Sequence, residues 1–202
     1  MKKTPFLSTT RAASTFEEMV SCRRLNFGDN EYFRMTDVWR DLCDEERRWS
    51  IKTYQSKETE DYKRKAGVIA FADRVTLIVD EKLWANADRG CKLSNFILAH
   101  ELGHVALDHH ARSMVIKHFQ LFAGPSGMSN LPPTPEELEA NLAAVFFQCG
   151  VALMDPKLDP IQLAHRAFSD VYYVKKAQRI VQLDVFQREL QKLKTNYPRI
   201  VL

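Results

Sequence analysis

His100-Glu101-Leu102-Gly103-His104 is the stretch of this chain whose residue types and spacing best specify a reaction. On a helix, residues four apart stand one turn apart on the same face. His100 and His104 can therefore offer two imidazole nitrogens to one ion. Two neutral imidazoles so placed suit zinc, at roughly 2.0–2.1 Å from each nitrogen. Glu101, next to the first histidine, is then placed to take a proton from a water held by the ion, the general-base role in metal-assisted hydrolysis. A catalytic zinc takes three protein ligands and keeps a fourth position open. The third ligand must come from elsewhere in the chain.

This chemistry needs a helix, and the flanks supply one. Phe96-Ile97-Leu98-Ala99 leads in, Val105-Ala106-Leu107 follows, and Ser94 stands where an N-cap would. The pattern predicts a helix over 94–111, kept slim beside the site by Gly103. Upstream, Val68 to Phe71 and Val75 to Val79 are β-branched runs separated by Ala72-Asp73-Arg74, a hairpin pattern. A short helix over 81–87 and a turn at Asp88-Arg89-Gly90 come next. Downstream, 114–119 reads as one more strand and Gly124 to Pro133 as loop. A second long helix opens at Thr134-Pro135, with Glu136 and Glu137 suited to its first turn, and runs to about Leu153 ahead of Asp155-Pro156.

The ends carry less pattern. Residues 1–14 read as a loose polar terminus, followed by a short helix at Ser14 to Val20 with Thr15 and Glu18 as a capping box. Residues 32–43 have a helical rhythm, and the charged run 44–65 reads as a solvated helix or a connection. Helices are expected over 160–167, 169–181 and 183–195. The fold class is α+β: a mostly helical domain with a small antiparallel sheet and a C-terminal helical unit. Its division is 1–65 as a variable N-terminal region, 66–158 as the core, and 159–202 as the helical unit.

Composition sets the class of protein. In 202 residues, 45% hydrophobic and 27% charged content describe a globular chain, and a net charge of +3 neither demands nor excludes nucleic acid. The basic start lacks an apolar run after it, and no stretch approaches the roughly 20 apolar residues of a membrane span. Cys22, Cys43, Cys91 and Cys149 are scattered without a C-x-x-C pair, as expected for reduced thiols rather than a cysteine zinc site. The expected location is the cytoplasm, away from membranes.

The third ligand is sought in the second long helix, Glu136-Glu137-Leu138-Glu139-Ala140-Asn141-Leu142-Ala143-Ala144. Its small residues allow close approach to the His100 helix, so a carboxylate on it can reach the metal, giving a His₂Glu set known for hydrolytic zinc. His110 is the rival, ten residues after His100. That spacing works in metzincins through a glycine that breaks the helix, and this chain has Leu107 there. His109 and His110 are therefore expected at the surface near the helix end.

Asn95 to His104, followed by Glu139-Ala140-Asn141-Leu142-Ala143-Ala144-Val145-Phe146-Phe147, resembles the ImmA/IrrE metallopeptidases. That family pairs R-F-T-L-A-H-E-L-G-H-x-L-L-H with E-A-N-x-F-A-A-x-L-L-M-P about thirty to forty residues later. Leu163 to Ser169 is similar to its later L-A-x-x-F-x-V-S phrase. The likeness covers about Gly67 to Leu183. It departs at Phe147-Gln148-Cys149-Gly150 and at Asp108, where the family usually has histidine. The resemblance implies a zincin-like domain holding zinc through His100, His104 and Glu139, with Glu101 as base. It further implies limited cuts in a regulatory protein, a helix-turn-helix repressor of a mobile element or stress locus, and hence a role in transcription regulation.

Around this centre, Asp108 or Asn141 could orient a ligand imidazole, and His118, Tyr172 and Tyr173 are candidates to stabilise the oxyanion. The competing reading is a non-catalytic metal-containing module that acts by binding its partner or DNA. The basic C-terminal helices give the DNA version some charge, but no recognition helix with base-reading side chains accompanies them.

Overall fold

The computed structural model describes residues 7–57, 65–110 and 134–196. The first helix, α1 (Thr9–Asn26), begins well inside the segment expected to be a loose terminus. Ser8 caps it, its Oγ accepting the Arg11 N–H at 3.2 Å. Thr15, expected to be a cap, is instead a fully buried residue of the helix interior. Helix α2 (Met35–Glu45) matches the expected helical rhythm and buries Val38 and Trp39.

The sheet differs from expectation in one strand. β2 (Ala66–Ala70) and β3 (Val75–Asp80) form the expected antiparallel hairpin. But β1 (Trp49–Tyr54) comes from the charged run and pairs parallel with β3, from Trp49 opposite Val75 to Tyr54 opposite Asp80. The sheet is thus mixed, in the order β1-β3-β2, with β2 at an edge. Val75, Leu77 and Val79 of the central strand, alternate residues that share one face of the sheet, are buried in the core. Asp80 ends β3 and caps α3 (Glu81–Asp88), accepting the Lys82 and Leu83 N–H groups at 3.0 and 3.1 Å.

Helix α4 (Lys92–Ala106) carries the two histidines and packs against both β2 and α5. It starts two residues before Ser94, which is buried inside it; the turn ahead is made by Gly90 at φ +87. Helix α5 (Pro135–Cys149) begins as expected, with Thr134 Oγ1 accepting the Glu137 N–H at 3.3 Å. It stops earlier than Leu153 because Gly150, at φ +56, turns the chain into a short 3-10 segment, Gly150–Met154. The fully buried Arg23 guanidinium then donates to the carbonyls of Phe147 at 2.8 Å and Gln148 at 3.0 Å. A side chain from α1 therefore satisfies groups that the end of α5 leaves without a helical partner.

The C-terminal helices α6 (Pro160–Arg166), α7 (Val171–Val181) and α8 (Asp184–Asn196) fall where expected. Buried residues from α1, the sheet, α4, α5 and α6 to α8 form one core cluster, with Phe16 of α1 edge-on to Phe146 and Phe186. Among the described residues, Pro135–Met154 is long and apolar enough to cross a membrane, but it is 67% buried inside this fold. All four cysteines are free thiols. The strand expected at 114–119 and the loop at 124–133 lie outside the described residues.

Candidate metal centre

The contact between α4 and α5 builds the site. A β-carbon added to Gly103 would meet Ala143 Cβ at 3.0 Å and the Ala140 carbonyl at 3.3 Å, so the helices touch where both sequences are small. Gly103→Val should overpack this contact and lower stability by about 1–3 kcal/mol, read as a lower denaturant midpoint with unchanged slope.

Across that contact, His100 Nε2 and His104 Nε2 stand 3.0 Å apart. Glu137, in the first turn of α5, brings Oε2 to 3.2 Å from His100 Nε2 and Oε1 to 3.6 Å from His104 Nε2. Ligand atoms of these three residues all lie within 4.8 Å of one another. Two imidazoles and a carboxylate converging on one point are a donor set that fits a divalent metal such as zinc.

Glu139, expected as the third ligand, is held elsewhere. It lies two residues beyond Glu137, about 200° further round the helix, and so on another face. Its Oε1 accepts from Thr15 Oγ1 at 2.9 Å and pairs with Arg11 Nε at 2.5 Å, while Oε2 lies 3.2 Å from His109 Nε2. Burial alone would raise its pKa, but hydrogen bonds from His109 and Thr15 and the charge of Arg11 hold the carboxyl below its usual range. Helical spacing carried the information that separates the two carboxylates. Ala140 faces Gly103, and the residue one turn before it is Glu137.

His109 is also not at the surface. It is 2% exposed, with Nδ1 2.8 Å from His104 Nδ1. The end of α4 explains this position. Asp108 sits at φ +53, its N–H bonds the Val105 carbonyl at 3.0 Å, and the His109 N–H bonds the His104 carbonyl at 3.0 Å. That pattern is a Schellman turn with aspartate in the left-handed position. It folds the chain back so that His109 meets His104. Asp108 itself is exposed at the turn, so its contribution is to the backbone rather than to a ligand imidazole. His110 is not among the three converging residues.

Asn141, one turn after Glu137, places Oδ1 3.2 Å from His100 Nδ1, where it can orient that ring. Burial pushes the Glu101 carboxyl up to about 7, opposed by the charge of His100 and by the nearby Val68 backbone of edge strand β2, and helped by the charge of Glu137. Tyr173 stacks on Phe96 at 4.4 Å, one turn before His100, and burial raises its pKa, with Asp170, Tyr172 and then Glu137 adding to the rise. Tyr172 is 68% exposed beside it. His118 lies outside the described residues.

The sequence model of peptidase family M48 matches residues 58–164, more than half of the chain, including α4 and Glu137. The chain belongs to peptidase family M48. No curated protein and no solved structure matches it. Membership in M48 supports the metallopeptidase expectation at the level of the family. The ImmA/IrrE likeness rests on the quoted phrases alone. Arg11 and Thr15, which hold Glu139, lie outside the span that matches M48.

Proposed function

We propose that this M48 peptidase is a zinc endopeptidase that makes limited cuts in a regulatory protein. The observation that carries the catalytic part is the convergence of His100, His104 and Glu137 beside Glu101. Those three side chains would hold the metal. When bound, zinc supplies Lewis acidity, drawing the pKa of water from about 15.7 towards about 7 and polarising the scissile carbonyl. Glu101 takes the proton of the attacking water and returns it to the leaving amine. Asn141 keeps the His100 ring oriented, and Tyr173, stacked on Phe96 of the same helix as His100, is the candidate to supply a hydrogen bond to the oxyanion.

The substrate enters as an extended segment. β2 is an edge strand packed against α4, the helix that carries Glu101, so a peptide added along β2 runs past the base. A helix-turn-helix repressor is the target class, supported by the ImmA/IrrE-like Glu139-Ala140-Asn141 phrase. In the test, the protein stripped with a chelator loses cleavage of a purified repressor of this class. One equivalent of zinc restores it, and mass spectrometry finds one or two cuts. Many cuts in an unstructured protein with none in any repressor would remove the regulatory reading and leave the peptidase.

A further inference from the structure

The charged chain that runs from α1 to the metal group exceeds what a ligand set needs. Arg11 Nε and Thr15 Oγ1 both engage Glu139 Oε1, at 2.5 and 2.9 Å. Glu139 Oε2 lies 3.2 Å from His109 Nε2, and His109 Nδ1 lies 2.8 Å from His104 Nδ1. Thr15, His109 and Glu139 are each at most 4% exposed, so the links from Thr15 to Glu139 and from Glu139 to His109 are shielded from water, while Arg11 reaches them from a partly exposed position. Taking His100, His104 and Glu137 as the metal ligands, we propose that helix α1 is a working part of the metal centre, with Arg11 and Thr15 positioning His104 through Glu139 and His109.

The hydrogen positions follow from one end of the chain. A carboxylate paired with arginine only accepts. His109 must therefore donate from Nε2, which leaves its Nδ1 as an acceptor in the neutral ring. His104 must then donate from Nδ1, and that tautomer keeps the lone pair on Nε2, the atom that faces His100 and Glu137. Outer groups of this kind fix the orientation of a ligand imidazole and raise its basicity. The backbone turn at Asp108 is what allows it, because it brings His109 back over His104. Arg11 and Thr15 stand outside the M48 match, so α1 reaches the centre from beyond the matched span.

Zinc and cobalt binding by the full chain test this. The double variant Arg11→Met/Thr15→Val and the single variant His109→Phe should each bind zinc about 10- to 100-fold more weakly in competition with a chromogenic chelator. Their cobalt absorption bands should shift. Arg11→Lys, which keeps the charge, should recover most of the loss seen in Arg11→Met. A purely structural role would lower the unfolding midpoint of the metal-free protein without moving the cobalt spectrum. His100→Ala is the control for the ligands. If His100→Ala loses zinc while folded His109→Phe and the double variant bind within twofold of wild type with unshifted bands, this inference falls and the ligand set stands. If His100→Ala binds zinc like wild type, the ligand set itself falls. If His109→Phe does not fold, the double variant decides.

Discussion

Glu101→Gln is expected to keep its metal and to lower kcat by about 10²- to 10⁴-fold, the usual contribution of a general base. Glutamine preserves the size and shape of the side chain. What is lost is the capacity to take a proton. Because that capacity matters only as the reaction proceeds, KM should change far less than kcat. Metal content at one equivalent, together with a collapsed kcat, would separate loss of the base from loss of the site. In cells the same variant divides the two functional readings. If Glu101→Gln still relieves the repression its wild type relieves, the protein works by binding, and the peptidase proposal fails.

The parts that the sequence made legible are those set by local pattern. The His100 helix, the hairpin around Ala72-Asp73-Arg74 and the three C-terminal helices all follow from period and capping residues. β1 did not, because its pairing is with β3 more than twenty residues later and parallel, and the charged residues around it resemble a solvated connection. The early start of helix α1, ahead of the Ser14 to Val20 stretch read as helix, was hidden for a related reason. Its apolar residues Ala12, Ala13, Phe16, Met19 and Val20 become a buried face only when α5 and α8 cover them.

The site divides in the same way. His100, His104 and Glu101 share one helix, so spacing alone places them. His109 depends on a left-handed residue at Asp108, which aspartate adopts more readily than most residues but which helical periodicity cannot signal. Glu139 drew attention through the Glu-Ala-Asn phrase, which marks the correct helix but not the face that meets Gly103. Glu137 had an ordinary explanation, an acidic residue in a helix's first turn, and that explanation masked its place beside the histidines.

Removing Glu137 should therefore be the most damaging change to metal binding on α5. Glu137→Ala takes away one of three converging donors, and the expected loss of zinc affinity exceeds the roughly 10- to 100-fold of an outer residue. Helix α5 should survive it. Thr134 caps through the backbone N–H of residue 137, which alanine retains, and the acidic side chain in the first turn contributes only about 0.3–1 kcal/mol through the helix dipole. Glu139→Gln gives the contrast, since it keeps the size of the side chain and removes the charge that Arg11 and His109 meet. The expected order of zinc affinity is wild type, then Glu139→Gln, then Glu137→Ala, measured by competition with a chelator on folded protein. The reverse order, with Glu137→Ala near wild type and Glu139→Gln unable to bind, would make Glu139 the ligand and would require α5 to turn by about half a revolution when the metal enters. Gly103 set against Ala140 and Ala143 opposes that rotation, because half a turn would bring Leu138 and Leu142 into a gap where even one extra carbon on Gly103 would lie 3.0 Å from Ala143 Cβ.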